Sequence, residues 1–386
     1  MRVNVDKVNF LKSWGLAERS AGSSGAMNIF SSVRMKADIN GVELQATDIK
    51  TSIICKAQGV TVIEPGEAVI PLKGVTELFR KAGSSDFMLQ VDDEGHAVMN
   101  SGKSRYRFST YPVGDFPKLP SSDGGELLCS IEASKLQLAL DRGTLCASTG
   151  DEYPQYLSSA YFETMDGLIN IVSTDKRRLA ICRSEITDGG DSKSILLPMK
   201  GLKELQRVLG LLEPSLMIKI IFDDSQAYFV AENVEFAVRR VESKFPAYDK
   251  ILPTSFSTTA AIDRLELIAA IERVDVVVRD YNRILIINME PDAGCVLSGR
   301  APEFGEAVEN IQCEVGGNQV AIGVNSKYFH DAVKVLDDQV TQLLFNGSDG
   351  HMMVRAKESD SFVCLVAPLE LTKEQLERID IESVSE

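Results

Sequence analysis

Histidine occurs only three times in the 386 residues, at His96, His330 and His351. That scarcity argues against a His-based metal site and against a Ser/His/Asp triad. The seven cysteines include no C-x-x-C pair, which disfavours zinc ribbons and disulfide frameworks and points to reduced, buried thiols. No uncharged apolar run reaches the roughly 18 residues of a membrane span. The opening residues, broken by Lys7, Lys12, Glu18 and Arg19, do not read as a signal peptide, so a cytoplasmic location is expected. The glycine runs Gly22–Gly25 and Gly189-Gly190 lack the spacing of a phosphate cradle and read as loops. Cations are in deficit, 41 Lys and Arg against 56 Asp and Glu, for a net charge of −15. That sum speaks against a nucleic-acid binder, although an uneven distribution could reverse the inference.

What the chain does have is a repeat. Thr47-Asp48 and Thr174-Asp175 each follow an apolar strand pattern, and Pro71-Leu72-Lys73-Gly74 recurs as Pro198-Met199-Lys200-Gly201. The offsets 174 − 47 and 198 − 71 are both 127. Asn40-Gly41 and Asp166-Gly167 place a hairpin turn in each copy. Phe116-Pro117 and Phe245-Pro246 close them. A fainter third copy starts its hairpin at Gly294, again 127 beyond Gly167. Each copy reads as helix, strands, helix, strands, with two helices against an antiparallel sheet, an α+β fold. Opening helices are expected from Asp6 to about Ala17, Ala133 to about Leu145, and Asp263 to about Val278. The linkers give domains of 1–122, 123–253 and 254–371, followed by an acidic tail, 372–386.

Two kinds of candidate site stand out. Lys73, Arg80 and Lys81 oppose only Glu77 on one helix, and Lys200, Lys203 and Arg207 oppose only Glu204 on another. Positive charge repeated at equivalent places in an acidic chain suits a phosphate-facing surface or two solvated helix faces. The cationic knot Lys176-Arg177-Arg178 lies between apolar strands. Leu157, Leu179, Pro246, Ile251 and the run Leu365–Leu369 are expected near it, as in a pocket for a short peptide with hydrophobic anchors. The Asp92-Asp93 and Asp223-Asp224 pairs fall at equivalent hairpins and read as turn chemistry. A rival reading makes Asp48 and Asp175 ligands of a metal-dependent hydrolase. A third is an acidic scaffold that binds peptides and nothing else.

The three copies, T-D-x-x-R-L at 174–179, F-P-x-Y-x-x-x-L-P at 245–253 and V-x-P-L-x-L at 366–371 resemble the bacterial DNA sliding clamp family, the β subunit of the replicative polymerase. The resemblance covers 1–371. It implies three tandem clamp domains per chain and a head-to-tail homodimeric ring around double-stranded DNA, with no catalysis and no cofactor. It further implies a partner-peptide cleft built by Leu157, Thr174, Lys176, Arg177, Arg178, Leu179, Pro246, Lys250, Ile251, Val366, Pro368, Leu369 and Leu371. Implied occupants are the replicative polymerase, the clamp loader, repair polymerases, mismatch-repair proteins and ligase. Lys73, Arg80, Lys200, Lys203 and Arg207 would face the DNA. Tyr106, Val276 and Val277 would sit at the dimer contact. Lys176-Arg177 stands where family members usually have Gly-His, which makes the cleft rim more cationic, and Gln375–Ile379 in the tail faintly resembles a clamp-binding segment.

Overall fold

The computed structural model describes residues 1–22, 28–92, 94–189, 192–291 and 293–371. Asp93, Gly190, most of the Gly22–Gly25 run and the tail with its Gln375–Ile379 segment lie outside the described residues.

Six α-helices occur among the described residues: α1 Lys7–Glu18, α2 Val75–Lys81, α3 Ala133–Gly143, α4 Met199–Leu209, α5 Arg264–Val278 and α6 Ser326–Lys334. Each follows directly on a strand or a short turn after one, and the pair strand-then-helix occurs twice in each copy of the repeat. Asp6 opens α1 by accepting the Asn9 amide at 2.9 Å, and Asp263 opens α5 by accepting those of Leu265 and Glu266 at 3.0 Å. Both are side-chain caps on otherwise unpaired first-turn amides. Asn325 does the same for α6 through Tyr328. The hairpin at Asp166-Gly167 carries φ of 54° and 76°, the double positive φ of a primed turn.

The described residues fall into two compact units, 1–137 with 163–169 and 185–242, and 138–162 with 170–184 and 243 onward. The first holds a five-stranded sheet in the order Val60–Glu64, Arg2–Asp6, Asp86–Val91, His96–Ser101, Ser104–Ser109. It also holds a nine-stranded sheet in which Val234–Arg239 of the second copy pairs antiparallel with Thr51–Lys56 of the first, Phe236 opposite Ile53. Phe10, Trp14, Phe79 and Phe87 form an aromatic core beneath α1 and α2, with Trp14 and Phe79 edge to face at 5.0 Å. Helix α4 buries Leu202, Leu205 and Val208 and exposes Lys200, Lys203 and Arg207. Gly201 lets α4 approach the sheet closely, since a Cβ there would collide with Val238.

In the second unit Arg178–Glu185 of the second copy pairs antiparallel with Phe362–Val366 of the third, Ala180 opposite Cys364. That sheet continues through Met352–Ala356, Val340–Phe345, Thr258–Asp263 and Glu314–Gly317. A four-stranded sheet runs Gly305–Ile311, Gly294–Ala301, Ile284–Glu290, Val320–Asn325. No described helix is long and apolar enough to cross a membrane.

Candidate partner-peptide cleft

The turn after Leu168–Thr174 is held by its own side chains. Thr174 Oγ1 donates to the Arg178 carbonyl at 2.7 Å and accepts the Lys176 amide at 3.0 Å. Asp175 Oδ1 accepts the amides of Arg177 and Arg178, each at 2.9 Å. The first copy repeats these bonds one for one. Thr47 Oγ1 donates to the Thr51 carbonyl and accepts the Ile49 amide, and Asp48 Oδ1 accepts the amides of Lys50 and Thr51. Ile49 and Lys176 adopt the same left-handed backbone, φ 76° and 72°. Asp48 and Asp175 are therefore equivalent turn-forming residues, Asp48 through Oδ1 and Asp175 through both oxygens. A repeated structural aspartate accounts for both without the hydrolase reading.

Asp175 also fixes Arg178. Its Oδ2 takes Arg178 Nε at 3.0 Å, Asp331 Oδ2 takes Nη1 at 3.0 Å, and the Tyr328 ring lies 4.2 Å from the guanidinium carbon. Only 11% of the Arg178 side chain is exposed. Asp331 shares its Oδ2 with Lys327 at 3.1 Å. Behind this cluster the Cys146 and Cys364 sulfurs lie 3.8 Å apart, and burial, reinforced by that contact, pushes the Cys146 thiol well up.

In front of it opens a cavity of about 250 Å³, lined by Tyr156, Thr174, Lys176, Arg178, Leu179, Pro246, Ile251, His351 and Leu365. Tyr156 on the lining belongs to a ring cluster: Tyr161 lies on Phe245 at 5.0 Å, and Tyr156 and Tyr248 meet Phe245 edge-on. They hold the chain leading into Pro246 and the short turn Tyr248–Ile251.

Six of the cleft residues expected from sequence line this cavity: Thr174, Lys176, Arg178, Leu179, Pro246 and Ile251. Arg177 and Lys250 are exposed beside it. Leu157 and Val366 are core residues, 4% and 0% exposed, and support it from behind. Pro368, Leu369 and Leu371 are not on its lining. The Leu369 amide donates to the Gly323 carbonyl at 2.8 Å, and a Cβ on Gly323 would fall 2.5 Å from Leu371 Cδ2. Tyr156 and His351 also line it, and nothing local in the sequence marks a tyrosine before a core leucine or a histidine in a hairpin as a lining group.

Lys73, in the turn before α2, and Lys200 and Lys203 on α4 are exposed. Arg80 is paired to Glu18 at 2.8 Å, whose other oxygen takes the Thr76 hydroxyl, and Arg207 is paired to Glu204. Tyr106 is half-buried on the strand Ser104–Ser109. Val276 is 43% exposed, whereas Val277, at 7%, packs inward with Val278, Ala301 and Ala307. Asp92, Glu94 and His96 bring possible metal ligands within 4.8 Å. Asp92, however, already accepts the amides of Glu94 and His96, and Asp223 those of Ser225 and Gln226, as hairpin turns require.

Comparison with known proteins decides the family. Three models match in succession, for the DNA polymerase III beta subunit N-terminal domain over 1–120, central domain over 130–247 and C-terminal domain over 249–370. The chain belongs to the DNA polymerase III beta subunit family. The beta sliding clamp of Pseudomonas putida is 26% identical over 374 residues, 96% of this chain and all of that one. That of Bacillus subtilis is 23% identical over 379 residues, 96% and 99%. Among solved structures, the sliding clamp from Bacillus subtilis matches with a TM-score of 0.90 at 21% identity, covering 96% of this chain and 100% of that one. A clamp from Pseudomonas aeruginosa bound to griselimycin matches with a TM-score of 0.90 at 23% identity and the same coverage. These likenesses extend the beta-subunit fold over nearly the whole chain.

Proposed function

We infer that this chain is a DNA sliding clamp, a processivity factor of DNA replication and not an enzyme. Two copies close head to tail around double-stranded DNA and tether the replicative polymerase, the clamp loader and repair factors (repair polymerases, mismatch-repair proteins, ligase) through the Leu179 cavity. Domains 1–122, 123–253 and 254–371 would be the three clamp domains of each copy, and the cytoplasm is where such a clamp works.

The observation that carries this is the pattern of strand pairing. The closing strand of the second copy pairs with the strand Thr51–Lys56 of the first, and that of the third with Arg178–Glu185 of the second. One closing strand, Ser104–Ser109, and one acceptor strand, Gly305–Ile311, remain as sheet edges. Exposed edges invite pairing, and these two carry opposite charge, Arg105 and Arg107 against Glu306, while Glu309 on the second edge is already held by Arg273. A topological hold needs only weak phosphate contacts, so exposed Lys73, Lys200 and Lys203 on a chain of −15 favour sliding over sticking. Clamp assembled on nicked circular DNA should stay bound through gel filtration at raised salt and be lost once the circle is cut. Equal loss from both forms would refute encirclement.

A further inference from the structure

The cavity at Leu179 presents charge that its own fold does not use. Arg178, the cation nearest its floor, is spent on Asp175, Asp331 and the Tyr328 ring. Lys176, on the lining, and Arg177 and Lys250, beside it, are exposed. Among the described residues none of the three meets a carboxylate within ion-pairing distance. No carboxylate lines the cavity. The acids closest in sequence are Asp175, committed to Arg178, and Asp249, exposed on the turn that carries Ile251. Thr174 and Asp175 hold the Lys176 backbone in the left-handed turn, so its side chain is anchored at the cavity. The apolar part of the lining is Leu179, Pro246, Ile251 and Leu365.

We propose that Lys176 and Arg177 are specificity-determining residues that make this cleft select peptides carrying a carboxylate beside their apolar anchors, over otherwise identical neutral peptides. The inference rests on the cavity being the partner-peptide cleft. The physical basis is charge complementarity at an exposed rim. There an exposed pair contributes modestly to affinity and strongly to discrimination, because the competing neutral peptide leaves both cations unanswered. The chain's overall acidity sharpens the effect, since an acidic peptide is repelled by most of the surface and attracted here.

The test uses the full chain and two fluorescent peptides alike in their Leu and Phe anchors, one with flanking Asp and Glu, the other with Asn and Gln. At low ionic strength the acidic peptide should bind about fivefold more tightly, and rising salt should erase the difference while leaving apolar anchoring in place. Lys176→Gly, which removes the charge from a backbone conformation glycine adopts freely, should collapse the ratio towards one with no loss of melting temperature. Equal affinity of the two peptides for the unaltered protein at low salt would overturn the selectivity and leave the cleft standing. Binding of neither peptide would overturn the cleft reading, and this inference with it. If both bind and Leu179→Asp abolishes both, the cleft reading holds and the ratio alone decides the selectivity.

Discussion

Arg178 is enclosed by two carboxylates and a tyrosine ring, so its loss would leave Asp175 without a counter-ion and Asp331 with Lys327. Removing one partner of such a cluster typically costs about 3 kcal/mol. Arg178→Ala should therefore lower the denaturant midpoint by that equivalent, whereas Arg177→Ala, at an exposed site, should stay within about 0.5 kcal/mol. Comparable effects of the two would mean that Arg178 is not the structural member of the knot. The buried thiols carry a second residue-scale consequence. Burial pushes Cys55 from 9.0 up to about 12, with Glu43 adding to it, and burial alone takes Cys129 to about 12. The folded state thus keeps protons that the unfolded chain loses above pH 9. This contribution is complete below pH 9 and disappears as pH rises towards 12. Cys55→Ala should flatten the fall in stability between pH 9 and 11, and an unchanged slope would contradict the assignment. At this scale the sequence displayed the polar members of the cleft, because Thr-Asp turns and runs of cations are local patterns. Tyr156 and His351 entered the lining only through packing between distant segments, which no local pattern encodes.

At the scale of elements, helices and hairpins followed closely from local chemistry. The Asp caps, the apolar periodicity of α4 and the Asp-Gly turn each act within a few residues, and the helix ends fell within about two residues of their expected places. Pairing across copies was not legible. Val234–Arg239 meets Thr51–Lys56 at a sequence separation of about 180 residues, and its alternation would suit many partners. Gly201 shows how tight one such contact is: with Val238 occupying the space a Cβ would need, Gly201→Ala should destabilise by about 1–3 kcal/mol. On an exposed helix the same substitution would stabilise. A raised melting temperature for Gly201→Ala would show that α4 can lift from the sheet at no cost.

For the whole molecule the question is whether the third strand pairing forms between protomers. The repeat made three copies readable, but which strands join neighbouring copies depended on register over long separations, so the two unmatched edges emerged only with the fold. Arg105→Glu combined with Arg107→Glu should weaken the pairing with the Glu306 edge, and Glu306→Arg should restore it. The direct measurement is the solution mass by light scattering across a dilution series. The account predicts a particle of twice 42.3 kDa for the unaltered protein and the monomer mass for the Arg105/Arg107 double reversal. A monomer at every concentration of the unaltered protein would contradict ring closure and leave only the peptide cleft.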